Sequence, residues 1–195
     1  MTFYQLIQEV SQLFPDVKHT QIKLDLNKKY LEFAHQSRIV KDEYNETLST
    51  TTAQYALASD VDEVYDIGFY DANGDPVDAI YTLKWNIDNK SIQFYDYYKD
   101  YIDAIENITT LTYYYYKIPD ELVEDTDEPD FPSNFHDAIV WGVLEEYFAK
   151  FPSLEKIGQD GSVTKIRDFT SAQYWGMKYK AMILDGKRYS NRQGK

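Results

Sequence analysis

Both ends of the chain place apolar residues at the spacing of amphipathic helices, and the clearest case begins at the second residue. Thr2 and Gln5 form the Ser/Thr-x-x-Glu/Gln pattern of a capping box, which predicts a helix from Phe3 onward. Pro15 is predicted to end this helix, because proline inside a helix removes a backbone hydrogen bond. The apolar positions at helical spacing are Phe3, Leu6, Val10 and Leu13.

A second helix is predicted from Thr20, its candidate cap, to about Val40. With the first helix and the short connection before it, this segment predicts a helical hairpin. The predicted buried face consists of Ile22, Leu26, Tyr30, Phe33 and Ser37.

The same pattern returns further along the chain and predicts two more helices. One is predicted over 133–151, directly behind Pro132, and the other over about 164–184. Gly186 suits the left-handed residue that follows a helix end, and 153–163 is predicted to be a polar connection. The predicted buried positions are Phe135, Ile139, Val143, Tyr147, Phe169, Ala172, Gly176, Tyr179 and Ile183.

Between these helical regions lie short runs rich in β-branched and aromatic residues, as is typical of strands. Asn73-Gly74 and Asp88-Asn89-Lys90 mark turns between such runs. The pattern predicts an antiparallel sheet of four to six strands. The extended runs are 55–60, 64–70, 77–83, 85–87, 91–95 and 108–118.

Four consecutive tyrosines, Tyr113, Tyr114, Tyr115 and Tyr116, close the last of these runs. Successive side chains of a strand point to opposite faces, so two rings should enter a core and two should face outward. An aromatic protein interface is the alternative reading, since tyrosine is enriched at such surfaces.

The fold class predicted from this order is α+β, a helical bundle of about four helices with an inserted antiparallel β-sheet domain. Its parts are an N-terminal helix pair over 1–41, an acidic β domain with an acidic loop over 42–131, and a C-terminal helix pair over 132–186. The last segment, 187–195, carries four Lys/Arg and no acidic residue, and it is predicted to be a flexible basic tail.

Charge is distributed very unevenly along the 195 residues, whose formal net charge is −13. Residues 42–131 hold 22 Asp/Glu and only four Lys/Arg, whereas the rest of the chain holds 16 Lys/Arg and 11 Asp/Glu. Such asymmetry often marks structural units with different surroundings, although a solubilising surface is an equally good explanation. The overall negative charge argues against a protein that wraps nucleic acid.

Composition excludes several other classes of function. The absence of cysteine rules out disulfides, thiolate nucleophiles and cysteine metal sites. No apolar run is long enough to span a membrane, and the first residues do not have the pattern of a secretory signal.

Motifs that would carry chemistry are also missing from the sequence. Asp71 to Asp75 resembles the start of a calcium loop, but Pro76 and Thr82 stand where that loop needs Gly and Glu, so a β-turn is the better account. The three histidines are scattered, and no nucleophile elbow or glycine-rich phosphate loop is present. We therefore expect no catalytic residue, no metal site, no cofactor and no enzymatic activity.

Two segments carry patterns known from other proteins. The first is Pro-Asp-Phe-Pro-Ser-Asn-Phe-His-Asp-Ala-Ile-Val over 129–140, which leads into a helix. The second, Tyr-Ala-Leu-Ala-Ser-Asp-Val over 55–61, is similar to a Tyr-x-Leu-Pro-x-Asp-Phe pattern, with Ala58 in place of proline and Val61 in place of phenylalanine. With the order of helix pair, sheet, acidic loop and closing helices, the chain resembles over most of its length the head-to-tail adaptor (connector, neck) proteins of tailed bacteriophages.

The resemblance implies a structural virion protein without enzymatic activity. Members of this family form rings, typically of twelve copies, beneath the phage portal protein. The ring extends the DNA channel, through which DNA passes without specific binding, and it docks the tail or the next neck-ring protein. The expected location is the neck and tail region of the virion, after synthesis in the host cytoplasm.

Two sets of residues are hypothesised to make these contacts. Lys187, Arg188, Tyr189 and Arg192 of the basic tail are predicted to dock on an acidic portal surface. Tyr113, Tyr114, Tyr115, Tyr116, Trp141 and Trp175 are predicted to serve subunit or tail contacts. The alternatives are another neck, tail-tube or terminator ring protein and, in a different class, a small acidic enzyme.

Overall fold

The chain is a mixed α+β protein in a computed structural model that describes residues 1–77, 84–95, 105, 108–157 and 162–193. Two compact units are present: the helical unit, Met1–Val40 with Pro119–Lys195, and the sheet unit, Lys41–Ile118. The helices are α1 (Phe3–Leu13), α2 (His19–Ser37), α3 (His136–Lys150) and α4 (Phe169–Gln193). The strands are β1 (Lys41–Thr47), β2 (Gln54–Ala56), β3 (Val61–Tyr70), β4 (Lys84–Asp88), β5 (Ser91–Tyr95), β6 (Thr110–Lys117), β7 (Pro152–Ile157) and β8 (Val163–Arg167).

Helix α1 begins as its sequence predicts. The Thr2 side chain accepts a hydrogen bond from the Gln5 backbone, and the Gln5 side chain accepts one from the Thr2 backbone, which confirms the capping box. Helix α2 ends at Arg38, whose φ of 54° places it in the left-handed region. A single 3₁₀ turn, Ser133–Phe135, leads into α3.

Aromatic side chains fill the core of the helical unit. The Phe33 ring lies 5.1 Å from that of Phe131 and 6.2 Å from that of Tyr179, centroid to centroid. Phe14 closes the other side, with its ring 5.3 Å from that of Tyr147 in an edge-to-face arrangement. These contacts join α1, α2, α3, α4 and the segment before α3 around a single core.

An ion cluster is buried beside this core. The Lys29 side chain is only 7% exposed, and its Nζ lies 2.9 Å from a carboxylate oxygen of both Glu32 and Glu146. Burial opposes ionisation of Glu146, but hydrogen bonds and charge from Lys150 and Lys29 outweigh it and lower the pKa of Glu146 to about 2. Gly142 leaves the required space, since a Cβ there would lie 3.0 Å from Cδ of Lys29.

The acidic segment 120–130 is a loop, as predicted, and the described hydrogen bonds tie it to α1 and α2. Backbone carbonyls of Asp127 and Asp125 accept hydrogen bonds from the N–H groups of Phe3 and Tyr4, which have no partner within α1. The sequence analysis placed this segment in the inserted block, whereas these contacts place it in the helical unit.

Two three-stranded antiparallel sheets form the described part of the sheet unit, with orders β1-β6-β3 and β2-β5-β4. The prediction of one sheet is therefore corrected to two, which share a core where the rings of Phe69 and Phe94 lie 5.9 Å apart. Both predicted turns are confirmed: Gly74 has φ 83°, and Asn89 and Lys90 have positive φ between β4 and β5. The predicted strand 77–83 lies outside the described residues except for Val77.

The connection between α3 and α4 differs from the prediction. The chain forms an antiparallel hairpin of β7 and β8 there, and α4 begins at Phe169 rather than at Thr164. Val163, Thr164 and Ile166 are β-branched and favour strand over helix. Asp168 then marks the start of α4, because its carboxylate accepts a hydrogen bond from the Ser171 backbone at 3.0 Å.

Helix α4 also continues nine residues further than predicted, to Gln193, so the described part of the basic tail is helical. Gly186 lies inside the helix, and its role is close packing: a Cβ there would lie 2.7 Å from Cβ of Ser37. The Ser190 hydroxyl donates a hydrogen bond to the Arg38 carbonyl at the end of α2. These long-range contacts hold the end of α4 on the helical unit.

Candidate interaction surfaces

Strand β6 distributes its four tyrosines between two environments, as the strand period predicts. Tyr113 and Tyr115 are 0% and 3% exposed in the core of the sheet unit, whereas Tyr114 and Tyr116 are half-buried on the opposite face. The Tyr113 hydroxyl accepts a hydrogen bond from the Ala58 backbone at 3.0 Å. Tyr113 and Tyr115 are therefore core residues, and only Tyr114 and Tyr116 can contact a partner.

Tyr114 and Tyr116 belong to a larger aromatic surface, the tyrosine face, which they form with Tyr65 and Tyr70. The Tyr65 ring lies 4.8 Å from that of Tyr116 and 6.4 Å from that of Tyr114. The hydroxyls of Tyr70 and Tyr114 are 2.8 Å apart. Gly68 makes room for this array, since a Cβ there would lie 3.1 Å from the Tyr70 ring.

The electrostatics of the tyrosine face favour cations. Glu43 on β1 and Asp66 on β3 both stand opposite Tyr114, and both are exposed. The Lys41 ammonium already lies over two of the rings, 5.0 Å from the Tyr65 centroid and 5.8 Å from that of Tyr116. The hydrogen bond to Tyr70, burial and nearby acidic groups raise the pKa of Tyr114 to about 12, so its ring stays neutral.

Trp141 and Trp175 form a second aromatic cluster on the helical unit. Their half-buried rings are 6.5 Å apart, and the Lys178 ammonium lies 4.8 Å from the Trp141 centroid and 5.2 Å from that of Trp175. A groove of about 380 Å³ next to them is lined in part by Glu9. Burial, with a contribution from Asp137, raises the pKa of Glu9.

The predicted docking residues at the end of α4 fall into two groups. Lys187, Arg188 and Arg192 are exposed, and Arg188 pairs with Asp185 at 2.9 Å. Tyr189 instead turns toward the core, where its ring lies 5.6 Å from that of Phe135. A groove of about 510 Å³ beside the basic residues is lined by His35, Gln36, Ser37, Arg38, Lys187 and Asn191.

A further surface, the β7–β8 hairpin, was missed by the sequence analysis. Every hairpin side chain that the structure describes is exposed, including Ile157 at 73%, Val163 at 58% and Ile166 at 40%. Lys165 and Arg167 add positive charge beside these apolar side chains. The signal that could have identified the hairpin is the mixture of β-branched residues, Val163, Thr164 and Ile166, with the basic residues Lys165 and Arg167.

The residues that carried the family resemblance have structural roles. Asp130 donates its backbone N–H to the Tyr30 hydroxyl at 3.1 Å, and the His136 ring is 2.8 Å from the Phe131 carbonyl. Ala58, which replaces a proline of the pattern, uses the N–H that proline lacks to bind Tyr113. The residues of the two motifs thus stabilise the segment before α3 and the connection between β2 and β3.

The described ranges contain neither a candidate metal cluster nor a helix that could span a membrane. Within them, no cluster of three or more His, Cys, Asp or Glu side chains has the geometry of a metal site. No helix in the same ranges is both long enough and apolar enough to cross a bilayer. The surfaces described above can bind other macromolecules, through aromatic rings, exposed apolar groups and charge.

Comparison with known families gives one match over nearly the whole chain. A family model described as SU10 adaptor protein matches residues 1–194. No curated protein matches the chain.

Proposed function

The chain belongs to the SU10 adaptor protein family, a phage head-to-tail adaptor family, and we propose that it forms a ring between the phage portal protein and the tail. The observation that carries the proposal is the match over 1–194, because it includes both structural units. The family is a structural component of the virion rather than an enzyme family. Portal and tail proteins are accordingly its partners.

In this proposal the four helices form a bundle that serves as the scaffold, and the sheet unit is an insert within it. A ring of identical copies needs two different surfaces on each subunit, one for each neighbour. The tyrosine face, the Trp141–Trp175 cluster and the β7–β8 hairpin are chemically distinct surfaces that support such contacts. The ring, typically of twelve copies in this kind of protein, would assemble under the portal.

The test of this function is assembly on the portal protein of the same phage. Native mass spectrometry and electron microscopy of the purified chain, alone and with portal, should show a closed ring attached to the portal. A ring that forms readily without portal and never binds it would favour the alternative, a tail-tube or terminator protein. A monomer that stays monomeric beside the portal would contradict the proposal.

The exposed basic residues of α4 are proposed to dock on an acidic portal surface. Because α4 is helical to Gln193 and Ser190 anchors it, docking would present Lys187, Arg188 and Arg192 from an ordered helix rather than from a tail that folds on binding. Lys187→Glu with Arg192→Glu should abolish portal binding while the fold is retained. The matched control, Lys18→Glu with Lys180→Glu, changes the same charge at other exposed positions and should bind normally.

The acidic block is proposed to keep DNA moving through the channel. Carboxylates repel phosphates, so a channel lined by residues of 42–131 would let the genome slide without specific binding. Asp75→Lys with Asp88→Lys should slow DNA ejection, whereas the control pair Asp16→Lys with Asp137→Lys should not. Unchanged ejection in the first pair and in further acidic-to-lysine pairs of the block would contradict this role.

A further inference from the structure

We propose that the β7–β8 hairpin of one copy binds the tyrosine face of a neighbouring copy, so that these two surfaces form the contact between adjacent subunits. This inference rests on the proposed ring. It assigns the contact to particular residues: Tyr65, Tyr70, Tyr114 and Tyr116 with Glu43 and Asp66 on one side, and Ile157, Val163, Lys165 and Arg167, which share one face of the hairpin, on the other.

The tyrosine face is built to receive cationic side chains. The face of an aromatic ring is negative, and Lys41 shows within the same chain that an ammonium group binds over Tyr65 and Tyr116. Glu43 and Asp66 flank Tyr114 from the two neighbouring strands, so a cation over the centre of the face would meet carboxylates on both sides. A groove of about 430 Å³ runs along this face and is lined in part by Glu43, Asn45 and Tyr114.

The β7–β8 hairpin exposes its described side chains to solvent instead of packing them against other residues of the chain. Two paired strands alone are marginally stable in water, and this pair exposes all its described side chains, three of them branched aliphatic residues. Both strands are edge strands, which proteins usually protect from association. The protection of the described hairpin consists of its charges, Glu155, Lys165 and Arg167, and of Pro152 with a register shift at one end only.

Charge and chemistry make the two surfaces complementary. The sheet unit holds 15 Asp/Glu against five Lys/Arg, whereas 152–167, which contains the hairpin, holds three Lys/Arg against two Asp/Glu. Arg167 and Lys165 can stack on tyrosine rings and pair with Glu43 and Asp66. The aliphatic side chains of the hairpin would then cover the remaining ring surface. Contact between unlike surfaces of neighbouring copies is also what closes a ring.

Engineered cysteines test the contact directly, because the chain has none of its own. Copies with Asn45→Cys on the tyrosine face are mixed with copies carrying Val163→Cys or Thr164→Cys, on opposite faces of the hairpin, in the presence of portal. Under mild oxidation the Val163→Cys mixture should give a disulfide-linked dimer, because Val163 shares a face with Lys165 and Arg167, whereas the Thr164→Cys mixture should not. Thr51→Cys, an exposed position of the sheet unit off the tyrosine face, should not cross-link to the hairpin.

Charge-reversal variants test this contact independently of ring formation. Glu43→Lys with Asp66→Lys, and separately Lys165→Glu with Arg167→Glu, should each lower the cross-linking yield by about tenfold or more, since like charges then face each other. Mixing the two reversed variants should restore it. Circular dichroism of each variant checks that it is folded.

Failure of the inference and failure of the proposed function give different results. Portal-bound rings that form without any face-to-hairpin cross-link, or that tolerate both charge reversals, would overturn the inference and leave the ring intact. A variant that carries both cysteines, Asn45→Cys and Val163→Cys, gives a further check. If its disulfide forms only within one chain and never between two chains, the inference is overturned as well. If the wild-type chain forms no ring on the portal, the proposed function itself fails.

Discussion

The core of the helical unit and strand β6 of the sheet unit use their aromatic residues in different ways. In the helical core, rings such as Phe33, Tyr30 and Tyr147 are fully buried, and even the charged Lys29 is enclosed. Strand β6 buries Tyr113 and Tyr115 but holds Tyr114 and Tyr116 at the surface. The first arrangement specifies a fold, and the second also leaves rings available for a partner. In β6, alternate residues thus serve the core and the surface.

The helical unit and the sheet unit also differ in their balance of acidic and basic residues. The helical unit holds 18 acidic and 15 basic residues, and its buried ion cluster pairs both signs. The sheet unit holds three times as many acidic as basic residues, 15 against five. An excess of one sign destabilises a compact unit through self-repulsion and steers its charged partners. The excess supports the proposed role in association, and a solubilising surface explains it equally well.

Truncation of a buried ring in either unit should have the largest effect on stability. Phe33→Ala and Phe69→Ala remove rings that are 0% and 2% exposed, and each should cost about 4 kcal/mol of unfolding free energy. If the units are independently stable, hydrogen exchange should rise in the helices for the first variant and in the sheets for the second. Equal increases in both units for either variant would show that they unfold together.

Removal of Lys29 should have the next largest effect. Lys29→Met leaves Glu32 and Glu146 beside an apolar side chain, and it should cost about 3 kcal/mol in urea denaturation. Lys150→Met removes another ammonium from Glu146, but the Lys150 side chain is 57% exposed, so the loss should stay below about 1 kcal/mol. Equal losses of unfolding free energy in the two variants would mean that the burial of Lys29 does not strengthen its ion pairs.

Acid should weaken the helical unit through Glu146. Its pKa is about 2 in the folded chain against an ordinary value of 4.5, so its contribution is complete above about pH 4.5 and is lost as the pH falls toward 2. We expect a loss of about 2 kcal/mol over this range. Glu146→Gln should remove that part of the pH dependence in urea titrations at successive pH values. The same slope in both proteins would assign it to other carboxyl groups.

Alkali should also weaken the sheet unit through Tyr114, with the smallest of these effects. The pKa of Tyr114 rises from 10 to about 12 because its hydroxyl is bonded to Tyr70 and partly buried, so the folded unit favours the neutral ring. That stability is present below pH 10 and is lost as the pH rises toward 12. Tyr114→Phe should flatten this loss, measured by the ultraviolet absorbance of tyrosinate and by hydrogen exchange of β6. An unchanged profile would contradict the role of the Tyr70–Tyr114 pair.

Local signals allowed much of the fold to be predicted. The capping box at Thr2, the turn at Asn89 and the alternation along β6 each depend on neighbouring residues, and the structure confirms all three. Strand β1 was missed, because Lys41 to Thr47 is a polar stretch in which no residue is fully buried. Its position is set by pairing with β6, which a local pattern does not reveal.

Long-range contacts explain the other differences. The basic composition of 187–195 predicted a flexible tail, but Tyr189 packs on Phe135 and Ser190 binds the carbonyl of Arg38, far away in sequence. The alternation of the β6 tyrosines was predicted, with Tyr114 and Tyr116 outward and Tyr113 and Tyr115 inward, and the role of the outward pair in contacts stays a prediction. The hairpin was not found, because Gly158 and Gly161 and the polar residues around it resemble a plain connection.

The register of β1 on β6 has a consequence for how such a chain can change. Lys41, the first residue of the sheet unit, pairs with Tyr116, near its last, so the chain enters and leaves the unit at neighbouring points. An insertion whose ends meet needs only a short bridge in its place, and domains with adjacent ends tolerate exchange. Another module whose two ends meet can therefore be joined at the same points without lengthening either connection to the helices.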